Sequence, residues 1–107
     1  MREFSKTEDL NQLINSQSVV LIQFGSDSCT PCAAVREKID IRYLDHPELE
    51  AVYVDIEKFP AVAAQRGIFS VPSIQVYIKG QLSIEESAYF SLDEIFDKIE
   101  RYLKLLD

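Results

Sequence analysis

Two short runs of the chain, residues 19–24 and residues 51–56, are almost continuously apolar. Such runs are typical of β-strands buried on both faces, as in a parallel sheet covered by helices. Between them, Pro31 suits the first turn of a helix, and the pair His46-Pro47 ends the helical pattern near Leu44. This part of the chain therefore predicts a strand–helix–strand unit with a right-handed crossover.

The remaining segments extend this pattern at regular intervals. The predicted elements are, in chain order, helix 7–16, strand 19–24, a helix from Pro31 to about Leu44, strand 51–56, helix 59–65, strand 74–78, strand 81–85 and a helix that opens at Ser91. Thr7 or Ser5 is expected to cap the first helix, and Lys79-Gly80 is expected to turn a hairpin. The order predicts an α/β fold in which helices cover both faces of a mixed sheet.

Length and charge narrow the class of protein. A chain of 107 residues, of which 47 % are apolar, suits one domain over residues 1–107. The net charge of −7 argues against nucleic acid and anionic membrane as partners. No apolar run approaches the roughly 20 residues of a membrane-spanning helix, and the polar start lacks the apolar stretch of a secretory signal. We therefore expect a cytoplasmic protein. Nothing in the sequence indicates an oligomer, and we expect a monomer.

Cys29 and Cys32 are the only cysteines, and two residues separate them. A cytosolic chain of this size rarely carries a structural disulfide, and so short a loop constrains the unfolded chain little. Cys29 lies where a predicted strand ends and a helix begins, which is the edge of an α/β sheet where ligands bind and reactions occur. A helix start stabilises a thiolate, and the thiolate is the form that attacks a disulfide. The pair is therefore predicted to carry out redox chemistry.

The two sulfur atoms are not expected to be equivalent. Cys32 lies one turn inside the helix and shares a face with Val35 and Ile39, which are apolar and should face the core. Cys29 is then left at the helix end, where it faces solvent. We therefore expect Cys29 to attack a substrate disulfide and Cys32 to resolve the mixed disulfide, while the two residues between them hold the sulfurs close.

Two other interpretations of the cysteine pair stay open. In one, the thiols are ordinary and have no redox role. In the other they bind a metal, but zinc takes four ligands and the chain offers two cysteines and one histidine, His46, which follows the far end of the same helix. A metal or cluster would have to be shared between two chains. We expect no metal and no bound cofactor.

Several segments resemble the thioredoxin family. Residues 20–32 have the sequence Val-Leu-Ile-Gln-Phe-Gly-Ser-Asp-Ser-Cys-Thr-Pro-Cys, which is similar to the strand, loop and active site of that family. Residues 54–57 and 63–73, the latter ending in Val71-Pro72-Ser73, resemble its second strand and the loop that carries its cis-proline. Lys79-Gly80 matches its hairpin turn. The resemblance follows the chain in order over nearly its whole length and implies the thioredoxin-like fold.

The resemblance also implies roles for individual residues. Cys29 would be the nucleophile and Cys32 the resolving cysteine. Pro72 would follow a cis peptide bond and face the disulfide, and the backbone of Val71 would bind an extended substrate segment. Thr30 and Pro31, between the cysteines, would complete the substrate-binding surface. The implied partners are protein disulfides as substrates and a thioredoxin reductase as the electron donor.

Four positions depart from the family pattern. The residue before the first cysteine is usually aromatic, but here it is Ser28, and Thr30 replaces a glycine. Gln23 stands where the family often buries an aspartate beneath the second cysteine, and Tyr53 stands where a lysine often accompanies it. Glutamine does not take up a proton at neutral pH, so the family's proton shuttle is not expected in this form.

Three functions follow from these observations. The leading one is a protein-disulfide reductase that works through a mixed disulfide with Cys29. The second is a redox protein with few partners, which Ser28 and Gln23 favour. The third is a binding or scaffold domain that kept the fold and uses its cysteines little. A glutathione-linked role is weaker, because no residues are evident that would hold glutathione.

Overall fold

The computed structural model describes residues 1–106, and each predicted element is present there within a few residues of its predicted bounds. The elements are β1 (Arg2–Glu3), α1 (Leu10–Ile14), β2 (Val19–Gly25), α2 (Thr30–Tyr43), β3 (Glu50–Asp55), α3 (Pro60–Gln65), β4 (Ser73–Ile78), β5 (Gln81–Ser87) and α4 (Leu92–Leu106). None of these helices is long and apolar enough to cross a bilayer.

The strands form one mixed sheet in the order β1-β3-β2-β4-β5. β3 pairs with both β1 and β2 in parallel, whereas β4 is antiparallel to β2 and β5 is antiparallel to β4. All seven residues of the central strand β2 are buried, which explains why residues 19–24 are apolar apart from Gln23. The predicted mixed sheet, with one parallel portion and one hairpin, is therefore confirmed.

Helices cover both faces of the sheet, as the sequence predicts. Successive residues of β2 point to opposite faces, because side chains alternate along a strand. One core contains Val20 and Ile22 of β2 together with buried side chains of α1 and α3. The other contains Leu21 of β2, Ile39 of α2 and the buried side of α4. Each face of the sheet thus has its own hydrophobic core.

The strand β1 is an element that the sequence pattern does not show. Arg2 and Glu3 are polar and exposed, so neither length nor hydropathy marks them as a strand. They pair with Val52 and Tyr53 of β3, and the next residue, Phe4, is buried and packs edge-on against Phe59. The sheet therefore gains its outer strand from backbone pairing and from one buried aromatic ring next to it.

The helix α1 is shorter than predicted, and its cap differs. The carboxylate of Asp9 accepts the N–H groups of Asn11 at 2.8 Å and Gln12 at 3.3 Å. The prediction that Thr7 or Ser5 caps this helix is wrong, because their hydroxyl groups lie 3.1 Å from each other and outside the first turn. An aspartate at the N-cap satisfies the same unpaired donors.

Candidate active site

Cys29 occupies the junction between the central strand and α2. β2 ends at Gly25, and Cys29 has extended backbone angles at the N-cap of α2. Its backbone N–H donates to the carbonyl of Ser26 at 3.2 Å, and its sulfur accepts the N–H of Cys32 at 3.2 Å. Pro31 stands in the first turn, where the missing N–H of proline is tolerated. The helix start thus directs a backbone donor at the Cys29 sulfur.

The two cysteines form a disulfide and differ in exposure. Their Cα atoms are 5.3 Å apart. Cys29 is half-buried, whereas Cys32 has an exposed fraction of 0 % and shares the inward face of α2 with the buried Ile39. The two cysteines therefore differ in exposure in the way that the sequence predicts. Of the two cysteines, only Cys29 has solvent-exposed surface.

The loop before β4 lies at the same end of the sheet as the disulfide. The peptide bond between Val71 and Pro72 is cis, as the resemblance implies. Because Ser73 pairs with Phe24, the register places Pro72 next to the end of β2 and the loop to Cys29. Pro72 is buried and Val71 is half-buried. Within residues 1–106, no hydrogen bond uses the backbone N–H or carbonyl of Val71.

The surface around the disulfide is polar where the family usually carries an aromatic ring. Ser28 is exposed, and its hydroxyl donates to Glu57 at 2.8 Å and lies 3.2 Å from the hydroxyl of Ser26. These contacts connect the cysteine loop to the segment that follows β3. Thr30 and Pro31 are also exposed, so all three side chains are accessible to a partner.

Two exposed aromatic side chains belong to segments that adjoin Pro72. Phe69 lies three residues before Pro72 and is 87 % exposed. Tyr89 is 97 % exposed and follows Ala88, whose N–H donates to the carbonyl of Pro72 at 2.9 Å. No sequence pattern indicates that Phe69 is exposed, because a single aromatic residue in a loop has no periodicity that would distinguish it from a core residue.

Beneath the disulfide, Gln23 and Tyr53 occupy neighbouring strands. They are paired in the β2–β3 register and lie on the face covered by α2. Gln23 is fully buried, and its Nε2 donates to the carbonyl of Cys32 at 3.0 Å. Burial raises the pKa of the Tyr53 hydroxyl, and the nearby Asp55 carboxylate adds to this effect. The guanidinium of Arg36 stacks on the Tyr53 ring at 4.3 Å.

His46 is remote from the cysteines. It follows the C-terminal end of α2, and its Nε2 lies 3.1 Å from a carboxylate oxygen of Glu100. In the described part of the chain, no group of three or more His, Cys, Asp or Glu side chains is arranged to hold a metal ion. The structure thus separates the chain's one histidine from the disulfide by the length of α2.

Several thioredoxins are similar to this chain in sequence. The thioredoxin of Griffithsia pacifica is 32 % identical over 71 residues, which cover 65 % of this chain and 65 % of that protein. Thioredoxin-1 of Schizosaccharomyces pombe is 23 % identical over 86 residues, or 80 % of this chain and 82 % of that protein. The chain therefore spans slightly less than two thirds of the first of these relatives.

Solved structures and a family match agree with this result. The X-ray structure of Fasciola hepatica thioredoxin superimposes with a TM-score of 0.83 at 23 % identity, covering 95 % of this chain and 99 % of that one. At this identity the likeness concerns the fold, a five-strand mixed sheet with flanking helices. Residues 2–101 match the family described as Thioredoxin, and this match includes both cysteines and the Val71–Pro72 bond. The chain belongs to the thioredoxin family.

Proposed function

We propose that this chain is a thiol–disulfide oxidoreductase that reduces protein disulfides through Cys29 and Cys32. The observation that carries the proposal is the disulfide itself, which joins a half-buried sulfur at a helix start to a fully buried sulfur one turn behind it. The N–H directed at the Cys29 sulfur and the positive end of the helix dipole favour a thiolate there. Family membership supports the same reaction.

The reaction proceeds in two exchanges. The Cys29 thiolate attacks one sulfur of the substrate disulfide, so that a mixed disulfide forms and the other substrate sulfur leaves as a thiolate, which takes up a proton. Cys32 then loses its proton and attacks the Cys29 sulfur. The bond between Cys29 and Cys32 forms, and the second substrate sulfur leaves as a thiol after protonation. Two electrons have passed from the cysteine pair to the substrate.

The substrate is held by the surface around the disulfide. Val71 has a free N–H and carbonyl within the described residues, so it offers an extended segment two backbone hydrogen bonds. Pro72 is proposed to face the disulfide and to limit the approach of the substrate to one direction. The exposed Thr30 and Pro31 form the opposite border. These four residues constitute the proposed binding surface.

The oxidised pair must be reduced again before another turnover. We assign this step to a thioredoxin reductase, which supplies two electrons and two protons to the Cys29–Cys32 disulfide. The protein is proposed to act in the cytoplasm as a monomeric single domain over residues 1–107. The assignment of the electron donor is tested by reduction of the purified protein with a thioredoxin reductase and NADPH, monitored by the consumption of NADPH.

A trapping experiment tests the function. In Cys32→Ser the mixed disulfide has no resolving thiol, so substrate proteins are expected to remain bound to Cys29 and to be released by a reductant. Cys29→Ser is the matched control, because it keeps one thiol but loses the accessible one. If Cys32→Ser captures nothing beyond what Cys29→Ser captures, the scaffold interpretation is favoured and the proposal is wrong.

A small disulfide reagent separates general activity from a narrow choice of partners. A protein with few partners reduces such a reagent while leaving an unrelated protein substrate such as insulin intact. The polar side chain of Ser28, which is bonded to Glu57 in place of an aromatic surface, favours this narrower behaviour. Reduction of both at similar rates would favour a general reductase.

A further inference from the structure

Gln23 carries a buried atom that the disulfide form leaves without a partner. Its side chain is fully buried, and its Nε2 donates to the carbonyl of Cys32 at 3.0 Å. Its Oε1 has no hydrogen-bond partner among the residues that the structure describes, and it is the one buried side-chain nitrogen or oxygen there with this property. A buried acceptor without a donor is unfavourable, so this atom needs an explanation.

Reduction of the disulfide creates a donor in the same space. The oxidised sulfur of Cys32 has no hydrogen, whereas the reduced thiol carries one S–H. That thiol belongs to a fully buried residue in the first turn of α2. The amide of Gln23 already donates a hydrogen bond to the carbonyl of the same residue. Once the bond to Cys29 opens, rotation about the Cβ–Sγ bond of Cys32 allows its hydrogen to turn toward the glutamine.

We propose that Gln23 is a positioning residue that accepts the S–H of Cys32 at Oε1 in the reduced protein and thereby stabilises the dithiol relative to the disulfide. The inference rests on the proposed thiol–disulfide exchange and specifies what this buried amide contributes to it. The neighbours of Gln23 in the sheet are Tyr53 and Ile74. Neither of them donates a hydrogen bond to Oε1, so the atom remains available to the thiol.

The equilibrium with glutathione measures this contribution. Two molecules of reduced glutathione and the protein disulfide give the protein dithiol and one molecule of oxidised glutathione, so electrons and protons balance. Gln23→Met keeps the length of the side chain and removes the Oε1 acceptor. It also removes the Nε2 donor to the Cys32 carbonyl, but that carbonyl is the same group in both redox states. We expect its equilibrium constant for reduction to be about tenfold smaller than that of the unmodified protein, which corresponds to about −30 mV for a two-electron couple.

Gln75 provides the matched control. It is also a buried glutamine on a neighbouring strand, but its amide is fully used: Nε2 donates to Arg66 at 3.2 Å and Glu85 at 2.6 Å, and Oε1 accepts from Tyr77 at 2.8 Å. Gln75→Met is expected to lower stability and to leave the glutathione equilibrium within about twofold of the unmodified value. A Gln23→Met equilibrium constant equal to or above the unmodified one would overturn the proposal.

A spectroscopic measurement decides the question even if Gln23→Met does not fold. In Cys29→Ser the remaining thiol is that of Cys32, which is buried and keeps its proton. Its infrared S–H stretching band is expected at lower wavenumber than the band of a simple alkyl thiol in an apolar solvent, because a hydrogen-bonded S–H is weakened. Coincident bands would contradict the proposal. If the unmodified protein does not exchange with glutathione at all, the proposed function fails, whereas the infrared bands still test Gln23.

Discussion

Gly25, the last residue of the central strand, lies against the ring of Tyr53 and leaves no room for a larger side chain. A Cβ atom added at Gly25 would lie 2.9 Å from two ring carbons of Tyr53, which is closer than side chains tolerate. Tyr53 is itself buried and stacked under Arg36. The glycine that precedes the cysteine loop is therefore required by the tyrosine that replaces the usual lysine.

Gly25→Ala is expected to lower the free energy of unfolding by about 1–3 kcal/mol, because the added methyl group overpacks the Tyr53 ring. In a Tyr53→Leu background the same substitution should cost less, since the ring is gone. Urea unfolding of the two single variants, the double variant and the unmodified protein gives the interaction energy directly. An equal cost of Gly25→Ala in both backgrounds would contradict this account.

The Tyr53 hydroxyl predicts a loss of stability at high pH. Burial raises its pKa above the ordinary value, with Asp55 adding to the effect. The unfolded tyrosine ionises near pH ~10, so above that pH the unfolded state releases a proton that the folded state retains, and stability falls as the pH rises. Tyr53→Phe lacks this group. Unfolding from pH 8 to 11 should show the unmodified protein losing stability relative to Tyr53→Phe from about pH 10 upward; a constant difference would contradict the assignment.

Among the elements, α1 depends on one side chain for its start. The helix has only five residues, and Asp9 satisfies two of its free N–H groups. Leu10, Leu13 and Ile14 use this short helix to cover one face of the sheet. A weak cap would therefore affect packing on that face as well as the helix itself.

Asp9→Ala is expected to destabilise the protein by about 1 kcal/mol, because the N–H groups of Asn11 and Gln12 lose their acceptor. Thr7→Ala is the control, since the Thr7 hydroxyl lies outside the first turn. Thermal unfolding monitored by circular dichroism compares the two. A larger loss of stability in Thr7→Ala than in Asp9→Ala would indicate that Thr7 caps the helix, and would contradict the role of Asp9.

Elements with a buried apolar side could be predicted from the sequence, whereas the strand that depends on backbone pairing with its neighbour could not. β2 and α4 carry their apolar pattern in the sequence, and both form where the pattern places them. β1 has two polar residues and exists through its pairing with β3. For the site, the spacing and location of Cys29 and Cys32 predicted their unequal exposure. The contact of Gln23 with the Cys32 carbonyl depends on how α2 crosses β2, which no local pattern records.

For the molecule as a whole, charge favours cationic partners. The net charge is −7, and two exposed acidic residues are near Cys29. Asp27 precedes it by two residues, and Glu57 accepts a hydrogen bond from the neighbouring Ser28. A negative field attracts positively charged substrates and slows the approach of negative ones. The acidity that argues against nucleic acid as a partner is thus also expected to favour some protein substrates over others.

The expected result is that a disulfide-bonded peptide with flanking lysines is reduced about tenfold faster than the same peptide with flanking glutamates at low salt. The difference should shrink in 0.5 M salt, since exposed charges are screened within a few ångströms. Stopped-flow rates of the reduced protein with both peptides provide the measurement. Equal rates at low salt would show that the overall charge does not influence substrate approach.

The turn at Lys79 and Gly80 has a practical consequence. Both residues have positive φ angles, 50° and 83°, and they follow the end of β4, which runs antiparallel to β2. The turn therefore lies at the opposite end of the central strands from the cysteines. A linker grafted there would anchor the protein to a sensor surface with its sulfur-bearing end pointing outward, so that every immobilised copy would present the same orientation to the liquid.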